Sequence, residues 1–409
     1  MSRETRLAAR GGRLAAVLLA AGVVGGCDSG SGDGVRPQRD VDAGVEVVRH
    51  GGLADYGRPA FAVEHLLAIG QEGGAPEYTF GSVAGIDVMS DGTIAVLDGL
   101  AGEVRTFAPD GSFVRRIARL GQGPGEISGE GTLALVAVAP RDFLLPDVMT
   151  QTLNVFSLDG EVVRQARFDI QQLYIAEWRT TDDLQPVVRV STPGAEVVAH
   201  YSLVGQEGGL ADTLAVAART PGLEASDGRQ PLWQDHLVWS FDKPDLVVSG
   251  WMFTPQFTVH RGGEVVRTVS WDHVAARLTP EEQEAVLGIV ASGMGMDAAS
   301  MPDEFRAQLR VPEQLPAMAD IEVAGDLVFV QRVRPVAAMD LRVIYTFKAA
   351  GFGARIWDVF SLDGDYLGEL DLGARADVLD IRGDTIVGVR EDDAGLQQVF
   401  LARLPRRLP

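Results

Sequence analysis

The chain has 409 residues, of which 46% are hydrophobic and 23% charged, and its formal net charge is −21. This composition excludes a disordered chain, the length allows one large domain or two ordinary ones, and the negative field excludes nucleic acid as a partner. The single cysteine excludes an intrachain disulfide.

Residues 1–26 read as a signal segment. Four arginines precede the apolar run Leu14–Val24, which is about half the ~20 residues of a membrane helix. The run ends in Val24-Gly25-Gly26-Cys27. This is similar to the bacterial lipoprotein signal, in which a small residue precedes a cysteine that is lipidated. The resemblance implies a lipid anchor on Cys27, facing the periplasm or the cell exterior; a plain secretory signal is the alternative. Residues 27–58, with Ser29-Gly-Ser-Gly-Asp-Gly34 near their start, read as a flexible tether.

Phe61–Ile69 reads as a strand without a neighbour in sequence. Residues 81–126 then give four short strands separated by Ser90-Asp91-Gly92, Gly99–Gly102 and Pro109-Asp110-Gly111. Alternating apolar residues argue strand, and the Asp-Gly pairs supply turns that need positive φ. Such a sheet cannot bury both faces alone.

Further units follow. Val104-Arg-Thr-Phe-Ala-Pro-Asp-Gly111 matches Leu153-Asn-Val-Phe-Ser-Leu-Asp-Gly160 and Trp357-Asp-Val-Phe-Ser-Leu-Asp-Gly364, with a weaker match around Gly263. Units fall at about 81–126, 132–168, 173–218, 234–270, 319–372 and 376–404. The last has only three strands, which Phe61–Ile69 completes. Six such units predict an all-β fold, a six-bladed β-propeller of four-stranded antiparallel blades over residues 59–409. Between the fourth and fifth units, about 274–312, Thr279-Pro280-Glu281-Glu282 is a capping box that opens a helix. A second short helix is predicted from Ser300 to Arg310.

In such blades the first-to-second and third-to-fourth turns share one face of the ring, and the other connections share the opposite face. The long connections here all belong to the second group, and binding usually sits on long loops. Trp233, Trp251, Phe253, Trp271, Arg334, Tyr345 and Arg355 map to that face and are the candidate binding residues. Packing of the blade ends is the other explanation of its aromatic rings. No HExxH, HxH or GxSxG motif occurs, so catalysis and zinc find no support.

The units resemble NHL-type repeats. The chain from about Phe61 onward, with Gly121-Gln-Gly-Pro-Gly-Glu126 and the Cys27 signal, resembles the bacterial six-bladed β-propeller lipoproteins. That resemblance implies no established reaction, and the long-loop face points to a binding protein for a small molecule, a glycan or an envelope protein, with no cofactor expected. Some propellers of similar form hold calcium in the axial channel for lactone hydrolysis. Here Asp87, Glu322 and Asp380 are the candidate calcium ligands, and a metal-dependent hydrolase or lyase is the alternative function. A structural part of an envelope assembly is a third.

Overall fold

The Asp-Gly turns and the repeated Phe-Xaa3-Gly spacing divide the chain as the sequence predicts. The structure is a computed structural model that describes residues 35–405, apart from short internal stretches of which the longest are 168–176, 219–228 and 337–352. Six sheets built on four antiparallel strands follow one another. They run over Val83–Ile117, Val136–Arg167, Glu177–Ala218, Leu237–Asp272, Asp320–Asp371 and Ala376–Arg403. The sixth sheet draws only three strands from its own unit. Its fourth is β4 (Glu64–Ile69), paired antiparallel with Gln397–Arg403, so the orphan strand closes the last unit.

The repeated positions do the same physical work in each sheet. Phe107, Phe156 and Phe360 occupy one place in the repeat, and each is almost wholly buried. Burying such a ring contributes roughly 1.5–3 kcal/mol. Close approach of neighbouring sheets needs glycine at Gly85, where a Cβ would lie 2.7 Å from the backbone nitrogen of Leu135 in the next sheet.

The N-terminal segment departs from the expected tether. From Gln38 onward it is ordered: β1 (Gln38–Asp42) and β2 (Val45–Gly52) form a hairpin. Ala43 and Gly44 turn it, with φ of 49° and 89°. The alternation in Val45-Glu-Val-Val48 gives β2 an apolar face, and Val48 is fully buried. β2 pairs parallel with Glu264–Asp272, the outer strand of the fourth sheet. Next, β3 (Ala60–Ala62) pairs parallel with Tyr366–Asp371, the outer strand of the fifth. The predicted strand Phe61–Ile69 is therefore split between two sheets. One strap crosses the fourth, fifth and sixth sheets in turn.

Polar contacts fasten the strap. His50 Nε2 donates to the Gly364 carbonyl at 2.7 Å, and the Tyr56 hydroxyl donates to His50 Nδ1 at 2.7 Å. Both bonds suit a neutral imidazole, and burial lowers the His50 pKa. Gly364 has φ of 84°, and a Cβ there would sit 3.1 Å from Val48. Glu46 takes Arg267 and Arg39 as partners.

The helical insert is present. In the capping box, Thr279 N–H donates to Glu282 Oε2 at 2.8 Å and Glu282 N–H to Thr279 Oγ1 at 3.2 Å. This opens α1 (Pro280–Gly293). The second helix, α2 (Asp303–Gln308), is shorter than predicted. Leu309–Arg310 leave it as a strand, pairing parallel with Gln230–Pro231. That pairing ends the helix and pins the insert to the loop before the fourth sheet.

Candidate functional site

The first strands of the six sheets meet through their side chains. Asp87 of the first sheet accepts from Ala137 N–H of the second at 2.6 Å. The Ala137 carbonyl accepts from the Thr180 hydroxyl of the third, also at 2.6 Å. Arg179 of the third donates both terminal nitrogens to Glu322 of the fifth, at 2.8 and 2.9 Å. Ser240 of the fourth donates to the same carboxylate at 2.7 Å. Arg382 of the sixth reaches back to Asp87 at 2.6 Å and to Asp380 at 2.7 Å.

The three carboxylates proposed as calcium ligands are therefore brought to one region, each with a guanidinium on it. Asp87 and Glu322 are buried and Asp380 is partly exposed. Burial raises the Asp87 carboxyl, with Arg382 opposing. Burial likewise pushes Glu322 up to about 7 against the pull of Arg179. Arg179 is raised by the Glu322 charge despite its own desolvation, and stays charged. A bidentate guanidinium occupies the carboxylate lone pairs a cation would need. No group of three or more metal-ligating side chains occurs among the described residues.

The loops of the first two sheets are tied by two buried aspartates. Asp98 ends a second strand and accepts from Gly81, Ser82 and Ala101 N–H at 2.9, 3.2 and 3.1 Å. Asp147, at the same place in the second sheet, accepts from Ser128, Met149 and Thr150 N–H. These hydrogen bonds hold Asp147 below its ordinary pKa although burial opposes them. Each carboxylate joins an incoming loop to a turn, so both kinds of connection share a face, as predicted.

On the loop side, between the fourth and fifth sheets, lies a cavity of about 240 Å³. The end of the fourth sheet supplies Trp271 and Asp272, the connection after it supplies His273, Val274 and Ala276, and the far end of that connection supplies Leu315, Pro316 and Ala317. The fifth sheet supplies Arg332, Val333 and Asp358, and the strap supplies Leu53. Trp271 packs against Phe360 and Phe257, with ring centroids 5.6 and 6.4 Å apart, which fixes the indole. Arg332 holds Asp358 at 2.7 and 2.9 Å and also reaches Glu369 at 2.5 Å. The Tyr366 hydroxyl donates to Asp358 at 3.0 Å. Partial burial lowers the His273 pKa, with Asp358 opposing.

Of the described residues predicted for the loop face, the cavity contains Trp271 alone. Trp251 and Phe253 are half-buried, and Phe253 packs on the core below. Arg334 is buried and does not line the cavity. Arg355 is exposed and pairs with Asp371 at 3.4 Å. Cys27, Trp233 and Tyr345 lie outside the described residues. Sequence reasoning missed His273, Asp358 and Leu315. Asp358 carried a signal: Arg105 and Asn154 hold its place in other repeats, and all three are buried. Polar residues at a buried repeat position imply partners.

No protein-family profile matches the chain, and no curated protein matches it. Among solved structures, a DUF4221-family member from Bacteroides vulgatus is 8% identical, covering 84% of this chain and 98% of its own, with a TM-score of 0.46. Virginiamycin B lyase from Staphylococcus aureus is 9% identical, with coverage of 79% and 95% and a TM-score of 0.42. A calcium-binding protein, regucalcin, from Agrobacterium tumefaciens is 10% identical, with coverage of 86% and 98% and a TM-score of 0.41. No helix among the described residues is long and apolar enough to cross a membrane.

Proposed function

We propose that the chain is a six-bladed β-propeller, closed into a ring by β4, that captures a small molecule on its loop face. Contact among the first strands of all six sheets supports a ring, because stacked sheets without closure would leave the first and sixth apart. Arg382–Asp87 joins those two. In this reading the axis is plugged by ion pairs, and ligand capture moves outward to the cavity beside Trp271. The single observation that carries the reading is that cavity, with a fixed indole and several charged groups in an otherwise apolar wall. Export and lipid attachment at Cys27 complete the proposal, resting on the signal-like first 27 residues. Loss of fatty-acid labelling in Cys27→Ser tests that part.

Ligand-observed NMR tests the binding part, using separate panels of amines, sugars and carboxylates at about 10 mM, enough to detect a Kd near 1 mM. Ala276 is exposed and lies in the wall, so Ala276→Trp fills the cavity without disturbing the core. Saturation transfer to at least one panel, abolished by Ala276→Trp, is the expected outcome. No transfer to any panel, or transfer that survives the filled cavity, refutes the reading.

A further inference from the structure

Taking that reading of the cavity as its basis, we infer that the cavity beside Trp271 accepts a small organic cation, an amine or quaternary ammonium. Charge and shape of the lining both favour a cation. The ionised side chains of the lining are Asp272, Asp358 and Arg332. Arg332 is already shared between Asp358 and Glu369, so its positive charge is more than matched. Asp272 is exposed and has no ion-pair partner among the described residues. The lining therefore holds surplus negative charge beside an indole and the apolar side chains of Leu53, Val274, Leu315, Pro316 and Val333.

An anion would meet that surplus, and a neutral sugar, whose hydroxyls can donate to Asp272, would leave the charge unbalanced. A compact organic cation uses all three features. Its charge sits near Asp272, and its carbon atoms take the apolar wall to which the buried Trp271 indole belongs. The space, about 240 Å³, suits a molecule of several heavy atoms and not a bare ion. The chain's net charge of −21 raises the local concentration of cations around the whole surface.

Isothermal titration of the full chain with choline and with putrescine tests this, with glucose and citrate as neutral and anionic controls. At least one of the two cations should bind, and glucose and citrate should not. Asp272→Asn changes an exposed residue and should leave the fold intact. It should weaken cation binding about tenfold, the loss of one close charge at a surface site, equivalent to about 1.4 kcal/mol. Raising salt should weaken the wild type more than Asp272→Asn, a readout that loss of shape alone would not give. If glucose or citrate binds and is blocked by Ala276→Trp while neither cation binds, the capture reading stands and the cation inference falls. If nothing binds, both fall. Cation binding unaffected by Asp272→Asn also overturns the inference.

Discussion

Replacing Arg179 with methionine removes the guanidinium that covers Glu322 while keeping side-chain length. The carboxylate is buried, with its side chain 1% exposed, and among the described residues keeps only the Ser240 hydroxyl at 2.7 Å. Breaking one partner of such a pair costs about 3–5 kcal/mol, because the carboxylate is left buried without compensation and must keep its charge or take up a proton at the assay pH. The guanidinium also lies 5.6 Å over the Trp239 ring, a contact of about 0.5–2 kcal/mol. Arg179 is itself 19% exposed, so water relieves part of the loss and the expected cost is about 3 kcal/mol. The double variant Arg179→Met/Glu322→Leu removes both charges and should recover all but about 1 kcal/mol, since apolar replacement of a buried pair is often neutral. Urea denaturation at pH 7.5 of the wild type, both single variants and the double variant gives the cycle. A cost below about 1 kcal/mol for Arg179→Met would refute the reasoning, as would a double variant no more stable than the single.

Asp98→Ala removes the acceptor for three backbone N–H groups and one contact of Arg105, and should cost about 2–4 kcal/mol in urea denaturation. Asp98→Asn keeps one acceptor oxygen and should cost about half as much. His260 is buried, with no partner for its Nδ1 among the described residues, and burial depresses its pKa to about 4 from an unfolded value of 6.5. Because the folded value is the lower one, its contribution is present above pH 6.5 and is lost as pH falls towards 4, by about 3 kcal/mol in total. His260→Phe should flatten the stability profile over that window, and an unchanged acid slope would count against this account.

The sheets were legible because their signals are local. Asp-Gly turns, alternation and the repeated buried Phe each act within a few residues, and the Thr279–Glu282 capping box does the same for α1. The strap was hidden by composition: glycine, proline and polar residues around it masked the short alternation of Val45–Val48. Placing Asp87, Glu322 and Asp380 on first strands was possible from the repeat, and the structure brings them together. Their neutralisation was not legible, since Arg179 and Glu322 lie 143 positions apart and Arg382 and Asp87 lie 295 apart. No periodicity reports which cation faces which carboxylate across six sheets. Trp271 was legible as a loop-face aromatic, but its cavity depends on Leu53 from the strap, whose fold the sequence did not reveal.

The strap also changes where the sheets end. Without it, the outer strand Glu264–Asp272 of the fourth sheet would offer an unpaired row of backbone groups, with Val265 exposed already and Val269 uncovered in addition. Such an edge templates pairing with another chain. β2 covers it, and β1 becomes the new edge. All five residues of β1, Gln38-Arg-Asp-Val-Asp42, are exposed and three are charged, a composition that resists strand addition. A chain lacking residues 36–52 should therefore do two things at once. It should lose stability, by roughly 1.5–3 kcal/mol for uncovering Val48's partners alone, and it should associate with rising concentration. Light scattering across a concentration series separates the two effects. Association that disappears when Val265→Lys charges the uncovered edge is expected. A truncated chain that stays monomeric at every concentration would mean the outer strand was never an open edge, and that the strap acts by packing alone.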